Sequence, residues 1–515
     1  MTVGYGWNLS AQEPFVAYDG GGHMHYVATL VDEWRWPHPL EGWSTFHPPL
    51  YHALVALVSW PWRPVWPARS IEALSALAML ATGTLAFGVT RGLGHAPAVA
   101  ALAAALVCLV PCARLTATMV GNEALAAALA GWAAAAGVRL HADPRSLRRA
   151  AAAGLAVGLA LATKFTGVFA APVLVVPYLR RDLDRRALRA AAVALLVAAA
   201  AGGLPYLRNV ALTGSPIPMT RDRGPVAKIE KQLTIRERRA ADYLWFDPAV
   251  FRLPLVYQIA DDTSRRDGLN PVMTNVWGLA YASAWYDAHD VRVVAPERRT
   301  GVRVGQVLLA LGLLPTALML AGGALCLRDW LVRGSAAPAA PVTAMAIVGI
   351  AAFVAFTARA PTTAAVKASY LLPVTVPAAV FFARGVEALG TRARWIGLAG
   401  SGLAMAAAAV AFTTGVVFST DTRVWPPRPP WLTPGAAAAT AQLERGAFGR
   451  WTSVAAEPTS DGALVLTLRA RTPPPPSDAE IAVWCGYVAT AMATHAPGQP
   501  WRGQIRQGSQ THPCP

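Results

Sequence analysis

Residues 341–358 read PVTAMAIVGIAAFVAFTA, and no charged side chain interrupts these 18 positions. A helix needs about 20 apolar residues to cross a hydrocarbon core about 30 Å thick. Similar apolar runs recur along the chain, at 71–90, 97–113, 188–206, 303–327 and 394–417. Because backbone N–H and C=O groups in lipid have to bond within their own segment, such runs form helices. The sequence therefore predicts an all-α polytopic membrane protein.

The composition supports a membrane chain and excludes one class of partner. Of the 515 residues, 54% are hydrophobic and only 14% are charged, whereas soluble domains average about 25% charged residues. The net charge of +16 comes largely from Arg and Lys in short loops between apolar runs, which is the distribution that sets membrane topology. Since no basic stripe and no nucleic-acid motif accompanies this charge, nucleic acid is excluded as a partner.

The loops richest in arginine assign the two sides of the membrane. Residues 141–149 and 180–189 each contain several Arg side chains, which places both loops on the cytoplasmic side. Residues 150–179 between them then form two short helices that meet on the outer side near Lys164. Continuing this alternation along the chain predicts about ten transmembrane helices, with both chain ends outside.

The same alternation divides the chain into five regions. They are a first extracytoplasmic loop with juxtamembrane helices (1–70), transmembrane helices (71–207), a long extracytoplasmic loop (208–302), further transmembrane helices (303–418) and a Pro-rich extracytoplasmic tail or small domain (419–515). Because residues 1–70 are polar and are expected outside, we also expect a first spanning helix, encoded in frame upstream of Met1.

The tail combines proline-rich linkers with a short strand pattern. The segments 426–430 and 473–476 predict stiff linkers, whereas 463–468 (ALVLTL) is typical of a strand. Cys485 and Cys514 are expected to form a disulfide if the tail lies in an oxidising compartment. The other cysteines lie in apolar segments, where small inert hydrophobic side chains are expected: Cys108, Cys112 and Cys326.

A polar, glycine-rich stretch precedes the first spanning run, at residues 18–26 (YDGGGHMHY). Glycines allow a ligand to approach the backbone closely, and a carboxylate beside an acceptor hydroxyl can act as a general base. Asp19 is therefore a catalytic candidate and His23 a binding candidate. A solvated surface carboxylate and interfacial packing of the histidines are the alternatives, and a divalent metal held by Asp19 and His23 stays open.

A second polar stretch, residues 46–52 (FHPPLYH), contributes His47 and Tyr51 as binding candidates. A simple helix entry explains the two prolines but not the histidines on both sides of the turn. Further along, Glu123 lies at an outer helix end, either as a site residue or as a charge in the capping region beside Asn122.

Several cations occupy outer helix ends, where topology does not favour them. Snorkelling towards lipid headgroups is one explanation. An anionic ligand such as a lipid phosphate is the other. The cations concerned are Lys164, Arg208, Arg359 and Lys367.

The order of these motifs resembles a known superfamily. The external-loop Asp is followed by HPPLY (47–51), an outer acidic turn, TKFTG (163–167), YLRNVALTGSP (206–216) and KASYLLP (367–373). This order is similar to that of the GT-C polytopic glycosyltransferases, in the branch of the protein O-mannosyltransferases and the lipid A aminoarabinose transferase. The resemblance implies a polyprenyl-phosphate sugar donor, inversion at the anomeric carbon, contact with membrane lipids, and an extracytoplasmic acceptor that is a glycan, a lipid or a protein.

The resemblance also implies roles for individual residues. Asp19 would be the catalytic carboxylate and Glu123 the second acidic position, although Gly20 departs from the Asp-Glu pair that is common in the family. Tyr370 would lie beside the lipid phosphate, together with the cations that hold it: Lys164, Arg208 and Lys367. No cofactor is implied with certainty, and the divalent metal stays open.

Two other functions are compatible with a polytopic membrane chain. A transporter would place ionisable residues near the bilayer midplane, often in inverted repeats, whereas here they gather at outer helix ends. A non-catalytic lipid-binding protein is the second alternative. If the chain is a transferase, aromatic residues of the long loop are expected to cover the site and stack on sugar: Trp245, Phe246, Trp277, Trp285 and Tyr286.

Overall fold

The computed structural model describes most of the chain. It describes residues 2–11, 18–41, 44–62, 68–179, 183–218, 238–256, 275–289, 298–360 and 365–413, and in the tail 416, 436, 451–461, 463–470, 485–486, 488–489, 492–493, 496, 498–507 and 510–514. The proline-rich segments 426–430 and 473–476, expected to be linkers, lie outside the described residues.

Helices dominate the described part of the chain. They are α1 (Thr2–Ala11), α2 (Gly20–Asp32), α3 (Leu50–Ser59), α4 (Ala68–Gly92), α5 (Pro97–Leu109), α6 (Pro111–Ala117), α7 (Glu123–Ala142), α8 (Leu147–Thr163), α9 (Pro172–Val175), α10 (Arg185–Gly202), α11 (Leu204–Thr213), α12 (Ala241–Leu244), α13 (Val276–Trp285), α14 (Arg298–Arg333), α15 (Ala340–Arg359), α16 (Thr375–Glu387) and α17 (Thr391–Ala411). Short 3₁₀ segments occupy Trp60–Trp62, Phe165–Ala170, Val176–Tyr178, Pro248–Phe251, Gly334–Ala336 and Ala368–Val374.

The prediction of a polytopic helical membrane protein is confirmed. Among the described residues, six helices are long and apolar enough to cross a membrane, and two bent pairs raise the number to eight. The 17-residue helix α8 and the shorter apolar stretch Phe165–Tyr178 are the two short helices expected within 150–179, and they meet at Lys164. The described residues therefore give six to eight candidate spans, and the expected number of about ten stays a prediction.

Both bent pairs have a local cause in the sequence. Helices α5 and α6 meet at 59°, because Val110 is extended and Pro111 begins a new helix. Helices α10 and α11 meet at 56° around the pair Gly202 and Gly203, with Pro205 in the first turn of α11. A proline lacks the N–H that would continue the preceding helix, and the chain therefore changes direction there.

Small residues bring the helices close together, as alanine-rich membrane segments allow. Helix α8 packs on α10 through Gly154 and Gly158, whose Cβ positions are already occupied by the backbones of Ala194 and Ala198. Any larger side chain at either glycine would push the two helices apart. The alanine-rich runs therefore serve packing.

Helices α2 and α3 form a small hydrophobic unit on the ends of the spanning helices. The side chains that join them to α4 and to the turn before α7 are buried: Val27, Val31, Tyr51, Val55, Ile71 and Val120. Helix α1 lies beside α5 and α17, with the Tyr5 hydroxyl donating to the Cys108 carbonyl at 2.6 Å and the Asn8 amide donating to the Phe412 carbonyl at 2.8 Å. The region 1–70 is thus largely helical where it is described.

The two ends of the bundle carry different charges. At the lysine end, α7 begins with Glu123, α8 ends before Lys164, and the segment Ala368–Val374 begins after Lys367. At the arginine end, the chain turns at 93–96, 143–146 and 388–390. Ion pairs there join Arg145 to Asp184 at 3.0 Å and Arg384 to Asp329 at 3.1 Å, and a hydrogen bond joins His95 Nδ1 to Glu387 Oε2 at 2.7 Å.

The aromatic residues expected to cover the site divide into two groups. Trp245 is half exposed. Trp285 and Tyr286 are instead buried against α14, where Trp285 donates to Thr316 at 2.9 Å and Tyr286 donates to the Gly301 carbonyl at 2.6 Å. These two side chains pack the fold and do not offer a face for a sugar.

The tail contains a four-stranded sheet in the order β1 (Trp451–Pro458), β2 (Leu464–Ala470), β3 (Trp501–Gln507) and β4 (Gln510–Pro513). Strand β2 coincides with the strand expected at 463–468. It pairs antiparallel with β1 and parallel with β3. The expected disulfide joins Cys485 to Cys514, with their Cα atoms 5.3 Å apart.

Candidate functional site

The lysine end brings together residues from four distant parts of the chain. Consecutive spanning helices run in opposite directions, so the start of α7, the end of α8 and the chain before α16 meet at one end. Helix α2 lies on the same end through its contacts with Ile71 and Val120. The candidates selected from the sequence therefore converge here through topology rather than through local spacing.

Glu123 and Lys164 form a buried ion pair. The Lys164 Nζ donates to the Glu123 Oε1 at 2.6 Å, and the two side chains are 6% and 9% exposed. The Asn122 amide donates to the Thr163 carbonyl at 3.3 Å and joins the same two turns. Asn122 occupies the N-cap position of α7, as the alternative interpretation expected, but makes no side-chain capping bond. Burial of a charged pair costs desolvation energy, which makes the pair a candidate for function.

Lys367 is held differently, although it is also largely buried. Its Nζ lies 3.8 Å from the Asp19 Oδ2, and the two side chains are 10% and 26% exposed. The same Nζ lies 4.5 Å from the centre of the Tyr18 ring and 6.0 Å from that of Tyr370. In the described part of the chain, this ammonium makes no hydrogen bond. Its three donors thus remain available to an anionic ligand.

Tyr370 lies between the two lysines. The Lys164 Nζ is 5.4 Å from the centre of its ring, close to the 6.0 Å of Lys367. The face of an aromatic ring attracts a cation through its quadrupole. Tyr370 therefore attracts both ammonium groups, in addition to the carboxylate that each of them meets.

Asp19 occupies the N-cap position of α2 without a side-chain capping bond. The His23 amide donates to the Asp19 carbonyl at 3.1 Å, in the first turn of the helix. Residues four apart lie on the same helix face, so Asp19 and His23 project to the same side. The glycines at 20–22 leave this turn free of bulky side chains.

Three histidines stack beside the carboxylates. His23 Nδ1 and His52 Nε2 lie 2.9 Å apart, and the His23 ring is stacked on His47 at 5.6 Å and on His52 at 5.2 Å. Burial lowers the pKa of His23, while Glu123 and Asp19 partly offset this effect. Burial also holds the pKa of His47 well below its usual value, and the positive charge of Lys164 lowers it further. These imidazoles are neutral near pH 7.

Tyr51 positions the turn that leads into α7. Its hydroxyl accepts a hydrogen bond from the Gly121 amide at 2.9 Å, two residues before Glu123. Its ring meets His23 edge to face at 5.8 Å. Tyr51 is fully buried, and its role in this geometry is to hold the site together.

Arg208 is the candidate that the structure places apart from the lysines. Its Nη2 donates to the carbonyls of Trp36 and Pro37, at 3.2 and 2.9 Å. Its guanidinium lies 4.3 Å from the centre of the Trp36 ring. Arg208 thus joins α11 to the chain that leaves α2 through its Nη2, whereas its Nη1 is buried without a hydrogen-bond partner among the described residues.

Sequence reasoning did not select three residues on the Lys367 side of the site: Tyr18, Asp287 and His289. The buried Asp287 raises the pKa of the Tyr18 phenol, which burial already holds well above its usual value. His289 donates through Nε2 to the Val366 carbonyl at 3.1 Å and meets the Tyr18 ring edge-on at 6.1 Å. Burial lowers the pKa of His289 to about 3, with Lys367 as the second cause. The polar run after α13 was visible in the sequence, but nothing in its spacing connected it to Tyr18.

The hypothesis of a divalent metal gains no geometric support. Among the residues that the structure describes, no three His, Cys, Asp or Glu side chains converge as a metal site requires. Asp19 faces the ammonium of Lys367, which already supplies a positive charge at that carboxylate. The site is built around amino groups.

Comparison with known proteins gives structural likenesses only. No protein-family model matches the sequence, and no curated protein matches it. The structure is similar to ArnT from Cupriavidus metallidurans in its apo state, with 16% identity over 86% of this chain and 67% of that one, at a TM-score of 0.45. It is similar to the same protein bound to undecaprenyl phosphate, with 16% identity over 87% and 68%, again at 0.45.

A third solved structure is the oligosaccharyltransferase of Archaeoglobus fulgidus in complex with Zn and sulfate. It shares 14% identity over 95% of this chain and 61% of its own length, at a TM-score of 0.46. At such identities and TM-scores, the function has to be inferred from the residues of this chain.

Proposed function

We propose that the chain is a membrane glycosyltransferase that moves a sugar from a polyprenyl-phosphate donor to the hydroxyl of an acceptor. The observation that carries this proposal is the pair formed by Asp19 and Lys367, 3.8 Å apart beside Tyr18 at the lysine end. A carboxylate and an ammonium with unused donors are the two groups that such a transfer needs at one place. The choice of a polyprenyl phosphate as the carrier follows from the family resemblance of the sequence.

The proposed reaction is a single displacement. The acceptor oxygen loses its proton to the Asp19 carboxylate and attacks the anomeric carbon. The bond from that carbon to the phosphate oxygen breaks, and the lipid phosphate leaves with the bonding electrons. Lys367 stabilises the developing negative charge with its available N–H donors. Attack opposite to the leaving group inverts the anomeric centre.

The remaining candidates take supporting roles in this proposal. Glu123 and Lys164 are bonded to each other, so we assign them to positioning and to the electrostatic field around the donor phosphate. Tyr370 orients both ammonium groups. Arg208 ranks after Lys367 as a phosphate ligand, because its Nη2 is already bonded to two backbone carbonyls.

We further propose that the lysine end faces the extracytoplasmic side. The Arg-rich turns at the arginine end favour the cytoplasm, and the Cys485–Cys514 disulfide of the tail suits an oxidising compartment. Maleimide labelling of intact cells tests this assignment. We expect the two tail cysteines to react only after reduction, and an absence of labelling after reduction would contradict the outer location.

A transfer assay tests the proposed function directly. The purified protein in liposomes is offered radiolabelled polyprenyl-phosphate sugars together with a membrane extract as the acceptor source. We expect label to move from the lipid to an acceptor in the wild type and not in Asp19→Asn. Uptake of the labelled lipid or sugar across the liposome membrane, without any new covalent product, would favour the transporter alternative instead.

A further inference from the structure

The histidine stack has hydrogen-bonding capacity that the protein does not use. His23 is 1% exposed, and its Nδ1 is bonded to His52, whereas its Nε2 has no hydrogen-bond partner in the described part of the chain. His47 bonds through neither ring nitrogen within that part, and its Nδ1 is completely buried. Buried polar atoms without a partner are rare in native proteins, and a ligand that supplies the partner accounts for them.

The chemistry of these atoms selects the kind of ligand. A neutral imidazole offers one N–H donor and one acceptor nitrogen. A hydroxyl group can bond to either, because it both donates and accepts hydrogen bonds. A phosphate needs donors with positive charge, and the lysines supply those a short distance away.

The charges around His47 disfavour a ligand that carries an ammonium group. The carboxylates Glu123 and Asp19 act on the neighbouring His23, whereas the ionic group that acts on His47 is the positively charged Lys164. Its carboxylate partner, Glu123, is already bonded to Lys164 at 2.6 Å. The second carboxylate on this side, Asp19, is paired with Lys367. An amino sugar beside His47 would thus meet the like charge of Lys164, whose carboxylate partner is already engaged.

Resting on the proposed function, we propose that His23 and His47 bind the hydroxyl groups of an uncharged sugar, so that the donor is a neutral glycosyl lipid rather than an amino-sugar lipid. The site then has two halves. Lys367 holds the phosphate within the field that Glu123 and Lys164 set, and the imidazoles hold the sugar. His23 connects the halves, because it shares a helix face with Asp19, the proposed base at the acceptor hydroxyl.

Binding of matched lipids to the purified protein tests this inference. The probes are undecaprenyl phosphate alone and the same lipid carrying glucose, glucosamine, arabinose or 4-amino-4-deoxyarabinose. We expect the neutral member of at least one matched pair to bind about tenfold more tightly than its amino counterpart and than the sugar-free lipid. The inference is overturned if the amino sugars bind equally well or better in both pairs, or if no neutral sugar improves on the sugar-free lipid.

Variants of His47 separate sugar recognition from folding. His47→Leu should bring the affinity for the neutral glycosyl lipid down to that for the sugar-free lipid, whereas His47→Gln keeps a donor and an acceptor and should retain part of the difference. His47→Asp should shift the preference towards the amino sugar. His95→Gln at the arginine end is the control and should change none of these ratios. An unchanged ratio in both His47→Leu and His47→Asp would contradict the inference.

The sugar-free lipid distinguishes the two levels of the proposal. Undecaprenyl phosphate that fails to bind, or that binds equally to Lys367→Ala, contradicts the proposed function itself. Binding that depends on Lys367 but is indifferent to the sugar contradicts only the assignment of His23 and His47.

Discussion

The Glu123–Lys164 pair at the lysine end leaves 9% and 6% of its side chains exposed, whereas the Arg384–Asp329 pair at the arginine end leaves 38% and 34% exposed. An exposed pair contributes about 0–1 kcal/mol and is screened by salt. A buried pair has to recover a desolvation cost of several kcal/mol per ion. The ion pair at the lysine end therefore carries a large desolvation energy, whereas the ion pair at the arginine end carries a small one.

The groups that surround the charges also differ between the two ends. At the lysine end, the rings of Tyr18 and Tyr370 flank the ammonium groups, and three imidazoles stack beside them. At the arginine end, the guanidinium and imidazole groups meet carboxylates and backbone carbonyls of neighbouring loops. The arginine end resembles the loops that set topology, while the lysine end has the partly dry, positioned polar groups of a reaction site.

The largest expected difference between the ends concerns the two aspartates Asp19 and Asp329. Asp19→Asn should lower the rate of sugar transfer by about 10²–10⁴-fold, because an amide cannot accept the proton of the acceptor hydroxyl. Asp329→Asn removes a carboxylate of similar size at the arginine end and should leave the rate within about twofold. Initial rates of label transfer, together with thermal unfolding of both variants, measure this contrast. Near wild-type turnover in a folded Asp19→Asn variant would remove Asp19 as the base.

Breaking the ion pair should lower the free energy of unfolding more at the lysine end than at the arginine end. Glu123→Gln or Lys164→Met leaves one buried charge without its partner and should cost about 3–5 kcal/mol. The double variant Glu123→Gln/Lys164→Met should recover most of that loss.

The matched changes at the arginine end, Asp329→Asn and Arg384→Met, should each cost about 0–1 kcal/mol. Denaturation of all five variants in the same detergent gives the comparison. Similar losses at both ends would show that the buried pair is as well solvated as the exposed one, and the argument from burial would then fail.

Donor affinity should respond to Lys367 more than to any cation of the arginine end. Lys367→Ala removes charge-assisted hydrogen bonds worth about 1–3 kcal/mol, so the KM for the donor should rise about 5–150-fold. Arg208→Ala should have a smaller effect, and Arg384→Ala none. A donor KM that is unchanged in Lys367→Ala but raised in Arg208→Ala would show that the phosphate binds near Arg208 and Trp36 instead.

The fold could be predicted from the sequence because backbone N–H and C=O groups in lipid have to bond within their own segment. Runs such as 341–358 had to be helices, and the Arg-rich loops predicted which side of the membrane each turn faces. Helix α7 was harder to recognise, because its alanines and glycines make it the least hydrophobic of the candidate spans that the structure describes. The bends at Pro111 and Pro205 follow from local sequence, but their angles depend on packing.

The candidate site was only partly readable. Topology alone placed Asp19, Glu123, Lys164 and Lys367 at one end, but it did not indicate which carboxylate meets which lysine. Those pairings join residues that lie far apart in the chain and depend on how α2 packs on the spanning helices. The partners of Arg208 are backbone carbonyls, which a sequence does not display.

The smallest expected contrast is the response of stability to pH. His289 has a folded-state pKa of about 3, and the pKa of His47 is also well below its usual value, whereas an unfolded histidine titrates near 6.5. Between these values the unfolded chain binds more protons than the folded chain, so stability falls as the pH is lowered below about 6.5. Each buried imidazole contributes up to about 1.4 kcal/mol per pH unit in that window, and above it the contribution vanishes.

His289→Gln should therefore flatten the loss of Tm between about pH 6.5 and pH 4, while keeping a donor for the Val366 carbonyl that His289 now bonds at 3.1 Å. His47→Gln should flatten it further, because it removes a second buried imidazole. At pH 8 neither ring is charged. The difference in Tm between each variant and the wild type should therefore not change with salt concentration. Parallel Tm curves for the wild type and His289→Gln across the acid range would show that this ring takes up its proton while folded, and the lysine end would then be wetter than its burial indicates.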